Sequence, residues 1–136
     1  MTFNGIIQWV SFFFFFVAAV FHIGFFIIES IMYQKPEGYK LFKISPQDHL
    51  ATKKWAFNQG FYNLFLALGT FWGLYFVTQK QVMVAGVLTG FCGMSMLAAG
   101  VVLWFSTPQL RKAAYYQIIP PLLGFISLSF HILRFF

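Results

Sequence analysis

Hydrophobic positions in this chain neither alternate nor recur on a single face; they run together. Apolar stretches cover roughly residues 6–33, 55–77, 82–105 and 113–133, and charges fall almost entirely between them. Each stretch is long enough to cross a hydrocarbon core of about 30 Å as a helix. A membrane barrel would need short alternating segments instead. The pattern predicts an all-α membrane protein, a four-transmembrane-helix bundle forming one domain over residues 1–136. The first stretch has no basic leader and no small-residue cleavage site, so it reads as a span rather than a signal peptide.

The intervals are unequal. Residues 79–81 form a tight turn, which makes spans two and three antiparallel neighbours. Residues 106–112 are also few and contain Pro108, a helix stopper. Only residues 34–54 make a long connection. Within it, Pro36-Glu37-Gly38 reads as a turn. Ser45 then supplies an N-cap, Pro46 a first helical position and Asp48 an acid in the first turn. These predict a short cytoplasmic helical segment before span two, with His49 and Lys53 on one face.

Composition leaves little for a soluble domain: 60% of residues are hydrophobic and 9% charged. The net charge of +6 would suit nucleic acid if it formed a patch, but its placement points elsewhere. Lys35, Lys40, Lys43, Lys53, Lys54, Arg111 and Lys112 flank two intervals on one side, against Lys80 and Arg134 on the other. That bias places both large intervals in the cytoplasm and both termini outside. The partner so implied is the lipid bilayer, with no nucleic acid. Trp9, Trp72 and Tyr75 fall at the outer interface, and Tyr33, Trp55, Trp104, Tyr115 and Tyr116 at the inner one, as an aromatic belt requires. Tyr62 lies a third of the way into span two and does not fit.

Two small-residue ridges, Gly69-x-x-x-Gly73 and Gly86-x-x-x-Gly90, permit close helix approach, chiefly within the bundle and otherwise in a homo-oligomer. The phenylalanines at 12–16 cover every face of their turn and read as lipid contact and core filling. Cys92, the single cysteine, excludes an intrachain disulfide and reads as a buried packing residue.

Candidate chemistry lies in the polar residues inside the spans. Glu29 is the only acid within a span. His22 precedes it by seven residues, which on a regular helix is two turns, or about 10 Å, on nearly the same face. Ionisable groups in hydrocarbon are costly and turn towards the bundle interior and a partner. Span two opens with Asn58-Gln59-Gly60-Phe61-Tyr62-Asn63, and Gln117 lies one turn into span four, ahead of Pro120-Pro121, which should kink it and free carbonyls. Counted from the inner boundary, Glu29, Asn58, Gln59 and Gln117 share one level. His22 and Asn63 lie deeper, with Tyr62 between. These seven residues predict a polar cavity in the cytoplasmic half.

The residues His22 and Glu29, the pattern from Pro36 to Ser45 with Phe42, the Asn-Gln-Gly-x-Tyr-Asn block and Gln117-Ile118-Ile119-Pro120 resemble an uncharacterised family of short four-helix bacterial membrane proteins, catalogued as a domain of unknown function. The resemblance covers nearly the whole chain. It implies a small multi-pass protein of the bacterial inner membrane and carries no activity with it.

Three function classes follow. A ligand-binding or transport bundle would hold a cation, proton or small polar or lipophilic ligand at Glu29 and His22, with amides completing the site. An intramembrane enzyme would use Glu29 or His22 as acid or base on a lipophilic substrate; no nucleophile-base constellation and no phosphate-binding glycine loop accompany them. An accessory subunit would use the polar layer only to fix helix register. No cofactor is indicated: one His and one Glu are a thin metal set, and His22 and His131 lie at depths too different to face one another across a haem.

Overall fold

In the computed structural model, residues 3–132 are described, with side chains between residues 7 and 130. Five helices carry the fold: α1 (Phe3–Phe26), α2 (Pro36–Tyr39), α3 (Pro46–Thr78), α4 (Val82–Ser106) and α5 (Arg111–Ile132). Four segments are long and apolar enough to cross a membrane: Ile7–Gln34, Pro46–Thr78, Val82–Ser106 and Pro108–Phe130. The protein is a multi-pass, all-helical membrane bundle. His131 and Arg134, expected near the outer interface, fall outside the described side chains.

The helices go up and down in a ring. α1 packs on α3 and α5, α4 packs on α3 and α5, and α1 meets α4 only weakly across the diagonal. Short connections enforce this order. α3 and α4 are joined through Lys80, whose φ of 58° reverses the chain, and α4 reaches α5 through a 3₁₀ turn at Pro108–Leu110.

The helix start at Ser45 is as the sequence predicts. Ser45 Oγ accepts from the Asp48 backbone N–H at 3.2 Å, Pro46 opens the helix, and α3 runs unbroken into the second span. The long connection is more ordered than the expected turn at Pro36-Glu37-Gly38. It folds as α2 followed by a 3₁₀ turn at Lys40–Phe42. Gly38 makes this possible, because a Cβ there would run into the backbone of Met32 and Tyr33.

Tyr33, expected in the inner aromatic belt, is instead buried beneath that connection. Its ring borders Phe42 and His49, its hydroxyl shares a 2.7 Å hydrogen bond with Thr52, and its carbonyl accepts from His49 Nε2 at 2.8 Å. Tyr39 stacks on His49 at 4.3 Å. His49 therefore pins the connection to the start of α3.

At mid-bundle Phe15 fills the centre. Its ring meets Phe125 edge-on at 5.0 Å and occupies the space that side chains at Gly93 and Gly124 would need. Ser11 donates to the Gly124 carbonyl at 3.0 Å and ties α1 to α5. The two glycine ridges divide. Gly69 and Gly73 seat Cys92 and Thr89 of α4, whereas a Cβ on Gly86 or Gly90 would meet nothing from another element within 4 Å. Cys92 is free and buried, as a packing residue would be. α5 stays helical through Pro120 and Pro121. Having no N–H, these prolines leave the Tyr116 and Gln117 carbonyls without helical partners.

Candidate functional site

The first span changes its winding where its acid lies. α1 ends at Phe26, residues Ile27–Ile31 form a π-helical turn, and a 3₁₀ turn follows over Met32–Gln34. A π-turn bonds i to i+5 and is wider than an α-turn, and such turns are frequent at functional sites. It also rotates Glu29 about the axis relative to a regular helix, so the seven-residue spacing no longer aligns Glu29 with His22.

α3 accommodates this turn through a gap in its own side chains. A Cβ at Gly60 would strike Ser30 Oγ and approach the Glu29 Cβ at 3.1 Å. With only hydrogen there, Ser30 reaches across and donates to the Phe57 carbonyl at 2.8 Å. One helical turn further along α3, Asn63 Nδ2 donates to Glu29 Oε2 at 2.7 Å. That short bond joins a part-buried carboxyl to a buried amide, which also lies 3.4 Å from the Gln59 carbonyl. Among the described residues, the carboxyl has burial and the Asn63 amide acting on it and no basic side chain beside it.

This geometry revises the expected layering. Asn63 was to lie with His22, two turns deeper than Glu29; instead it meets Glu29. The depth count took residue 55 as the start of span two, but α3 begins at Pro46 and has no boundary there. His22 is fully buried, donates through Nδ1–H to the Ala18 carbonyl at 3.0 Å, and sits edge-on to Phe25. Its Nε2 has no hydrogen-bond partner. Phe21 faces Tyr116, so His22 lies near the level of Gln117 in α5. Gln117 itself packs against Gly100 of α4, where a Cβ would meet its own Cβ at 2.8 Å.

Asn58, Gln59 and Tyr62 are exposed, Tyr62 by 57%. Gln59 precedes Asn63 by one turn and so belongs to nearly the same face, yet Asn63 is buried and Gln59 is not. α4 mirrors this. After its buried Ala85, Thr89, Cys92 and Met96, Gly100 stays buried against Gln117 and Ile118 of α5, whereas Ala99 is exposed. The α3–α4 seam is closed at Gly73 and Gly69 and parts towards the end of the bundle that carries the long connection. The structure thus pairs Glu29 with Asn63 and puts Gln59 and Tyr62 on the parting seam. Asn58 lies outside, and His22 and Gln117 face other neighbours.

Sequence reasoning missed Ser30 and Gly60. Their signals were present: Gly60 is the one position without a side chain inside a polar block, and Ser30 adjoins the only intramembrane acid. The π-turn left no such mark. Among the described residues no three His, Cys, Asp or Glu side chains gather as a metal-ion ligand set.

A family model described as "Protein of unknown function (DUF1304)" matches residues 16–129, which include every residue of this site. No curated protein and no solved structure matches the chain.

Proposed function

This chain belongs to the DUF1304 family, and we propose that it is a membrane-embedded binding bundle whose site is Glu29 held by Asn63. The ligand is a small cation or a proton. The observation that carries this reading is the 2.7 Å Asn63–Glu29 bond at a π-helical turn, with no basic partner for the carboxyl among the described residues. An unpaired carboxylate in hydrocarbon is costly, and a positive partner from outside the chain would relieve that cost. The amide suits either state, since –NH₂ donates to a carboxylate and, turned over, the amide oxygen accepts from a carboxylic acid.

Gln59 and Tyr62 on the parting seam supply a polar approach to the pair. With the positive-inside orientation this approach opens to the cytoplasm, both termini lie outside, and the membrane is the bacterial inner membrane. The Asn-Gln-Gly-x-Tyr-Asn block is then the family signature because its glycine admits Ser30 and its last asparagine holds Glu29. The chain acts as one domain and binds no nucleic acid. Carriage across the membrane would take more than four spans, and the uncovered Gly86–Gly90 ridge is the surface on which copies would associate.

The test is a melting-temperature series on the full chain in detergent, with sodium, potassium, magnesium and a pH series as probes. Glu29→Gln keeps shape and hydrogen bonding but removes the charge. At least one probe should shift the wild type and fail to shift the variant, whose circular dichroism is unchanged. Equal responses throughout would reduce the pair to interhelical glue.

A further inference from the structure

A cavity lies on the side of α1 that carries Phe21 and Phe25. It is a cleft of about 680 Å³ between α1, the long connection and the start of α5, within the size range of ligand sites. Neither Glu29, Asn63 nor Gln117 lines it. Its inner wall is apolar: Phe21, Gly24, Phe25 and Ile28 follow one another at helical spacing along α1, and Leu41 faces them from the connection. Leu41 is 54% exposed despite lying in a segment otherwise pinned by Tyr33 and His49.

The rim is basic. Lys43, Arg111 and Lys112 border the cleft, and none of the chain's three acids, Glu29, Glu37 and Asp48, does. Arg111 is engaged, with its guanidinium 5.0 Å over the Trp104 ring and Nε donating to the Trp104 carbonyl at 3.4 Å. Lys43 and Lys112 remain to meet an anion. Lys43 is held at φ 61°, a left-handed conformation unusual for a lysine. The N-terminal end of α5, at the same rim, adds the positive pole of a helix dipole.

We propose that this cleft binds one anionic phospholipid from the leaflet that meets the long connection. The phosphate lies between Lys43 and Lys112, and an acyl chain lies along Phe21, Phe25 and Ile28. Basic pockets between membrane helices recognise anionic headgroups in this way. Apolar walls under a cationic rim match a molecule that is charged at one end and hydrocarbon at the other. Gly24 sharpens the assignment. It lines the cleft, yet a Cβ there would find nothing within 4 Å. A side chain at 24 would therefore start from open space and extend into the cleft that the lipid would occupy.

The test uses the full chain in detergent, mixed with phosphatidylglycerol or with phosphatidylcholine of the same acyl chains, and counts retained lipid by native mass spectrometry. The wild type should keep one phosphatidylglycerol, preferred by roughly thirtyfold, as two lysines at a lipid surface imply. Lys43→Asn/Lys112→Gln should abolish the preference; asparagine is chosen because it tolerates the left-handed backbone. Lys35→Gln/Lys54→Gln, which removes equal charge outside the cleft, should keep it. Gly24→Leu should lose bound phosphatidylglycerol while its melting temperature without lipid holds. Equal retention of both lipids, or equal loss in the two double-lysine variants, would overturn the headgroup assignment. Undiminished retention by Gly24→Leu would overturn the place of the acyl chain.

Discussion

The two ends of α3 use the same device for opposite purposes. Near its C-terminal end Gly69 and Gly73 bring α4 so close that side chains on these glycines would strike Cys92 and Thr89. The Thr89 hydroxyl is buried there without a partner. Near its N-terminal end Gly60 brings in the π-turn of the first span, and there two interhelical hydrogen bonds form, Ser30 to Phe57 and Asn63 to Glu29. Close approach at one end yields dry packing. At the other it seats a carboxyl beside an amide and leaves the neighbouring α3–α4 seam open. A glycine within a span therefore marks proximity, and its neighbours decide whether the proximity is structural or chemical.

Adding volume at the dry end should have the largest effect. Gly73→Leu would drive carbon into the Thr89 backbone nitrogen, 2.9 Å from a Cβ, and into the Ala85 carbonyl at 3.3 Å. Neither can yield as a side-chain tip could, so a loss of about 3 kcal/mol or more is expected. Gly90→Leu, where a Cβ would meet nothing from another element within 4 Å, should leave the melting temperature in monomeric detergent close to that of the wild type. Similar losses at both positions would mean that the dry end is not closed through Gly73.

The polar end should respond less in stability and more in binding. Asn63→Leu leaves the Glu29 carboxyl without its donor, an expected cost of about 1–2 kcal/mol. It should also remove whichever cation or pH response the wild type shows. A variant as stable and as responsive as the wild type would erase the distinction between the two ends.

The fold was legible because hydrophobic run length and helix punctuation point the same way. Ser45-Pro46-x-Asp48 located the start of α3 to the residue. The long connection was less legible. Tyr33 carries the same signal whether it faces lipid headgroups or folds beneath a loop, and only the positions of His49, Phe42 and Thr52 separate the two. The polar residues inside the spans were legible, and their pairings were blurred. Glu29 and Asn63 stood out as polar groups inside spans, but a depth count from hydropathy boundaries is uncertain by a helical turn, enough to pair Asn63 with the wrong residue. The π-turn depends on the fit of α1 against Gly60, a tertiary contact that helical periodicity does not encode.

The central claim is that Glu29 is a binding group rather than a fastening. Infrared difference spectra of wild type minus Glu29→Gln test it most directly, recorded across pH and with each cation in turn. The account predicts that one carboxyl feature, present in the wild type and absent from the variant, changes when the cation or proton that shifts the melting temperature is supplied. Asn63→Leu should displace that feature, since it removes the 2.7 Å donor. A Glu29 feature that is identical under every condition would contradict the account and leave the pair as a structural hydrogen bond.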